Sequence, residues 1–244
     1  MALFTVTLSL AVAFAAPPLT PAEAVYGELK LSTPVDPKPL PKEFHPDGVS
    51  LEEVRKNPKR YPVRAAVLEA IEVLEQSRGT IPLRTEIRRV DLGKPQVMKE
   101  IFKQQEGPAI AIAMLDDVQK SLLSLEAVRH REPSRRWQAH FDFVLAEVEF
   151  HLALNHEYND MLAHARSENL PELQPARGEV GWRLVPTETM KSRGPIRKIA
   201  SSARERFERL AIAEPDTPWG IQAARFQNAP PGRQWLPMTD LVDP

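Results

Sequence analysis

The sequence predicts an all-α fold: a long, kinked antiparallel hairpin of two helices, with shorter helices packed along it and a further helical hairpin near the carboxy terminus. Two observations predict it. Helical periodicity is sustained over two segments of about 30 residues each, and only a few residues around Glu132 and Pro133 connect them. A connection that short between long helices turns the chain back on itself. The second segment, EPSRRWQAHFDFVLAEVEFHLALNHEYNDMLAHA, has no Gly and no Pro after Pro133. In it Trp137, Phe141, Val144, Val148, Leu152, Asn155, Tyr158 and Leu162 step by three or four and share one stripe. Ser134 is its candidate N-cap. At roughly 45 Å this helix is the expected spine of the molecule.

The elements before it follow in order. Residues 3–16 form an uncharged apolar run, too short to span a bilayer and of the length of a signal-peptide core. Small-x-small sites follow at Ala13-Phe14-Ala15 and Ala22-Glu23-Ala24, the second placing cleavage before Val25. Residues 1–24 therefore read as a signal peptide, although no Lys or Arg precedes Lys30. Residues 25–48, with Pro34, Pro37, Pro39, Pro41 and Pro46 among charged groups, read as an extended linker. A helical domain is expected over residues 49–229, and residues 230–244 as a tail. Within the domain, Ser50 and Glu53 fit a capping box. Pro62 opens a helix with Val67, Leu68, Ile71 and Leu74 on one face and Gly79 as its stop. Residues 86–90 form a candidate extended segment. Pro95 starts the first long helical segment, which Gly107-Pro108 kinks or divides.

After the spine, residues 167–194 are rich in Pro and Gly and read as a long connection, with Trp182 plugging it onto the helical body. Residues 197–226 then read as helix, tight turn and helix. The turn is Glu214-Pro215-Asp216-Thr217, Thr217 caps the next helix, and Pro218 takes its first position. Helix, Pro-containing turn, helix is a tetratricopeptide-like unit. One unit does not make a solenoid, so this one is expected to dock on the spine.

Chemistry is sparse. The 32 Lys and Arg against 33 Asp and Glu give no overall drive toward nucleic acid or anionic membrane. With no Cys, disulfides and thiolate nucleophiles are excluded, and no later apolar run is long enough for a transmembrane helix. No P-loop, dinucleotide fingerprint, nucleophile elbow or His-Glu-x-x-His motif occurs, and no cofactor is implied. His140, Glu147 and His151 lie near one face of the spine, and pairs at i and i+4 can chelate a divalent metal, zinc above all. His156, Asp160 and His164 repeat the spacing. Surface histidines on a polar face give the same pattern. Arg136, Asp142, Glu157, Tyr158 and Asn159 are expected to form a buried polar cluster that fixes helix register. Trp137 and Trp219 are expected to be packing anchors.

Taken together, Arg136-Trp137-Gln138-Ala139 with Asp142, then Glu157-Tyr158-Asn159, then Pro215 with Thr217-Pro218-Trp219, then Gly232 and Trp235 occur in a fixed order. This order resembles the carboxy-terminal helical region of exported planctomycete-type bacterial proteins that carry a von Willebrand A-type domain. The likeness covers residues 50–237. Glu214 stands where that family commonly shows His, and the alternating strands and Asp-x-Ser-x-Ser site of the A-type domain have no counterpart in this sequence. The resemblance implies an exported helical module and no activity. The expected function is thus a non-catalytic interaction or scaffold module, periplasmic or extracellular, whose partner is another envelope or secreted protein. The alternative is a metal-binding protein or enzyme using the spine histidines.

Overall fold

The structure, a computed structural model, describes residues 40–82 and 85–239. All of them belong to one compact unit, Lys38–Pro244. The expected signal peptide and the first part of the expected linker lie outside the described residues. Helices dominate: α1 (Leu51–Lys56), α2 (Pro62–Ser77), α3 (Pro95–Gln104), α4 (Glu106–Glu126), α5 (Arg135–Arg166), α6 (Gly194–Ala213) and α7 (Pro218–Phe226). Three strands, β1 (Glu86–Arg88), β2 (Glu179–Thr187) and β3 (Gly232–Thr239), form a small antiparallel sheet in the order β1-β2-β3.

The expected start signals act as their chemistry requires. Ser50 Oγ accepts from the Glu53 amide at the head of α1. Pro62 and Pro218 stand in the first turns of α2 and α7, and Thr217 Oγ1 accepts from the Gly220 amide. Gly79 stops α2 with φ +80°, a conformation that costs a residue with a Cβ. The spine is α5, 32 residues long. Ser134 precedes it but its hydroxyl makes no cap bond; the Glu132 carboxylate accepts from the Ser134 amide instead. The partner segment is divided at Gln105 into α3 and α4, and Pro108 lies in the first turn of α4, where its missing N–H leaves no bond unmade. The hairpin is antiparallel. Gln105 donates to the Asn159 carbonyl at one end, while Arg129 binds Asp142 at the other.

Three expectations need correction. The fold is mostly helical but not all-α. The connection 167–194 contains β2, and the tail contains β3. Their signal is alternation of period two: Val180, Trp182 and Leu184 on β2, paired through Trp182 to Ile87 and through Leu184 to Trp235. Proline obscured it, because Pro186 and Pro237 argue against strand. Second, the linker does not extend to residue 48. Phe44 is 2% exposed and stacks on Trp219 at 5.5 Å, so residues 40–48 belong to the folded body. Third, residues 232–239 of the expected tail are an edge strand held on the spine by Trp235, whose indole donates to the Met161 carbonyl.

Two cores result. One joins the sheet to the carboxy-terminal half of the spine, with Ile87, Trp182 and Trp235 against Tyr158, Met161, Leu162 and Ala165. The other is aromatic. Phe143 and Phe150 of the spine meet Phe207 of α6 and Phe226 of α7, and the last two rings stack at 5.1 Å. The α6–α7 hairpin docks through it. Its turn is tight enough that a Cβ on Gly220 would lie 1.8 Å from the Glu214 carbonyl oxygen, so only glycine fits there.

Candidate functional site

Helical spacing on the spine places His151, Leu154, Asn155 and Tyr158 on one side. They form a wall of a cavity of about 350 Å³. Thr80, Ile81 and Thr85, from the segment after α2, form the second wall; Leu184, Pro186 and Arg233 close it from the sheet. Its neutral polar groups are already in contact. Thr80 Oγ1 lies 3.1 Å from Asn155 Oδ1, and Asn155 Nδ2 donates to the His151 carbonyl at 2.8 Å. Tyr158 Oη lies 3.3 Å from Thr85 Oγ1. Burial pushes the Tyr158 phenol up, against the hydrogen bond with Thr85.

One turn back along the spine, Glu147 Oε1 lies 3.8 Å from His151 Nε2. Burial dominates both groups. It pushes the Glu147 carboxyl up to about 7, with Arg78 opposing, and His151 down to about 4, with Arg78 adding to the shift. Both are therefore driven toward their neutral forms, although the side chains keep 12% and 28% of their exposure.

The structure separates most of the residues singled out in the sequence. Arg136, 1% exposed, sits with its guanidinium 5.9 Å from the Trp219 ring centre. Trp137, His140 and Trp219 form an aromatic cluster, with His140 tilted against Trp137 at 5.1 Å and edge-on to Trp219 at 5.0 Å. Asp142 binds Arg129. Its carboxyl is pushed up by burial, against Arg129. Glu157 accepts from the amides of Lys191 (2.8 Å), Ser192 (2.8 Å) and Arg233 (3.2 Å), and from the Ser192 hydroxyl (2.6 Å). Tyr158 lines the cavity, while Asn159 offers its backbone carbonyl to Gln105. Trp182 donates to the Pro171 carbonyl and is 5% exposed.

The five-residue polar cluster is thus not one cluster, for a simple reason. Arg136 and Glu157 are 21 positions apart on a straight helix, roughly 30 Å, and each is fixed by a different neighbour. The same geometry separates His140 from Glu147 and His151. Among the described residues, no group of three or more His, Cys, Asp or Glu side chains is arranged to hold a metal ion. No described helix is long and apolar enough to cross a membrane.

Sequence reading missed three partners. Arg64, 2% exposed, is held between Glu132 and Asp47. Arg206 bridges Glu126 and Glu149. Arg233 enters the cavity from a strand read as tail. Arg64 and Arg206 face acids far away in sequence, which spacing along one helix cannot reveal. No family model matches the chain, and neither a curated protein nor a solved structure matches it.

Proposed function

We propose that this chain is an exported, non-catalytic helical module that docks another protein of the cell envelope, in the periplasm or outside the cell. One observation carries the reading. His140, Asp142 and Glu157 of the spine are committed to internal fixation. Glu157 alone takes four donors from the α6 approach and from β3. A carboxylate so occupied holds shape and has no lone pairs left over for a substrate. A body fixed in this way keeps its lateral helix faces pre-organised, which lowers the cost of binding a partner. The resemblance to the helical region of exported A-domain-bearing proteins supports the same reading, as does the α6–α7 hairpin packed on the spine, which we read as tetratricopeptide-like.

The test is site-specific photo-crosslinking in cells of the source organism. The probe replaces exposed Phe102 or Ile110, which are 56% and 62% exposed. A discrete adduct with an envelope protein is expected. A protein found intact from Met1 in the cytoplasm, with no adduct, would sink the proposal.

A second reading, an enzyme or metal carrier using the spine histidines, draws on one observation only: the 3.8 Å approach of Glu147 to His151 beside the cavity. Stoichiometric zinc that is lost on substituting His151 would favour it.

A further inference from the structure

The cavity beside Tyr158 has an electrostatic feature that the docking reading does not use. Among the described residues its lining holds no Asp or Glu, and Arg233 is its one Lys or Arg. The nearest carboxylate that acts on Arg233 is Glu157, and that group is already occupied. It takes the backbone N–H of Arg233 itself, together with donors from Lys191 and Ser192. The Arg233 guanidinium donates only through Nη1, to the carbonyls of Pro230 and Gly232. Among the described residues, its Nε and Nη2 hydrogens have no acceptor. Those two groups form the edge of a guanidinium that matches a carboxylate in bidentate fashion.

The rest of the lining is suited to what such a ligand would carry. Ile81, Leu154, Leu184 and Pro186 give apolar walls, and Tyr158 with Thr85 gives a hydroxyl pair that can donate or accept. The volume, about 350 Å³, is at the lower end of small-molecule sites.

We propose that this cavity binds a carboxylate attached to a small apolar body, with the carboxylate on Nε and Nη2 of Arg233 and the body between Leu154 and Leu184. The carboxylate comes from a free organic acid or from the carboxy-terminal residue of a peptide. The inference stands independently of the docking reading, since crosslinks at Phe102 or Ile110 report on other surfaces.

The experiment is calorimetric titration of the full-length protein with 4-methylvalerate and 3-phenylpropionate. The corresponding primary amides, and tripeptides ending in Leu or Phe with free or amidated termini, are titrated alongside. Saturable one-to-one binding of an acid is expected, weakened about tenfold or more in the amide. R233Q is expected to abolish the preference of acid over amide, and R233K to keep it at lower affinity. L184W fills the cavity without touching the charge and is expected to remove binding of both forms. If R233Q does not fold, R233K and L184W carry the comparison. Tighter binding of the free-terminus tripeptides assigns the carboxylate to peptide ends, and tighter binding of the simple acids assigns it to free acids; either result supports the site. No acid binding up to about 10 mM, well above the millimolar regime, overturns the proposal. Equal binding of acid and amide does so too.

Discussion

Trp219 donates its indole N–H to Nδ1 of His140 at 3.2 Å, across 79 positions of sequence. Both side chains are fully buried, at 0% exposure. The bond requires Nδ1 to be unprotonated, so the neutral imidazole carries its hydrogen on Nε2. A histidine with the spacing of a metal ligand is therefore occupied as a hydrogen-bond acceptor in the core. The relationship also joins the first turn of α7, which follows the Thr217 cap and Pro218, to the start of the spine.

From this contact follows a graded stability series. W219A removes a buried ring and should cost about 3–5 kcal/mol, and W137A about the same. W219F keeps most of the ring and loses the donor, so it should cost less than W219A. Chemical denaturation of the three variants checks the order. Melts of W137A and W219A equal to that of the parent would mean that neither ring is an anchor.

Arg64 predicts a different kind of loss. Its guanidinium binds Glu132 at 2.7 Å and 3.1 Å and Asp47 at 2.5 Å and 3.2 Å, and it lies 5.5 Å from the Trp137 ring. R64M strands the Glu132 carboxylate, whose side chain is 6% exposed, and should cost about 3–5 kcal/mol. R64M/E132Q should recover part of that loss, because the stranded charge is gone. Limited proteolysis should then cut within residues 40–48 in R64M. Equal stability of the single and double variants would show that the charge was not the source.

The fold was legible where one face of one element decided it. Ser50, Pro62, Gly79, Thr217 and Pro218 act locally, so their sequence context is sufficient. The spine is legible because its stripe repeats over many turns, and the division near Pro108 because proline removes a donor. The sheet was not legible, since β1 is three residues long and pairs with a strand far along the chain. Period-two alternation over so few residues competes with Pro186 and Pro237. The site was less legible still. His151, Asn155 and Tyr158 share a helix face, but Thr85 and Arg233 reach them only through that sheet.

Glu157 offers a test of the clasp that holds the sheet and α6 to the spine. E157Q replaces one acceptor oxygen by an NH₂ group that must face backbone donors. Leaving buried donors unpaired costs about 1–3 kcal/mol each, so a loss on the order of 3 kcal/mol is expected. Amide exchange at Lys191, Ser192 and Arg233 should accelerate together in E157Q. Acceleration at only one of the three would show that the carboxylate does not act as a single clasp.

The last prediction concerns pH and rests on Glu147 and His151. In the folded protein Glu147 is pushed up from 4.5 to about 7 and His151 down from 6.5 to about 4. Between about pH 4.5 and 6.5 the folded pair holds one proton, on Glu147. The unfolded pair also holds one, on His151. Equal proton uptake leaves stability independent of pH across that window as far as this pair is concerned. Each partner conceals the slope of the other. In E147Q only His151 remains, the unfolded state binds more protons, and stability should rise with pH from about 4 to 6.5. In H151Q only Glu147 remains, the folded state binds more, and stability should fall as pH rises from about 4.5 to 7. Both slopes are softened by the exposure the side chains retain. Denaturation midpoints measured across this range, each variant referred to the parent at the same pH, give the two signs. Slopes of the same sign in the two variants would refute the pairing.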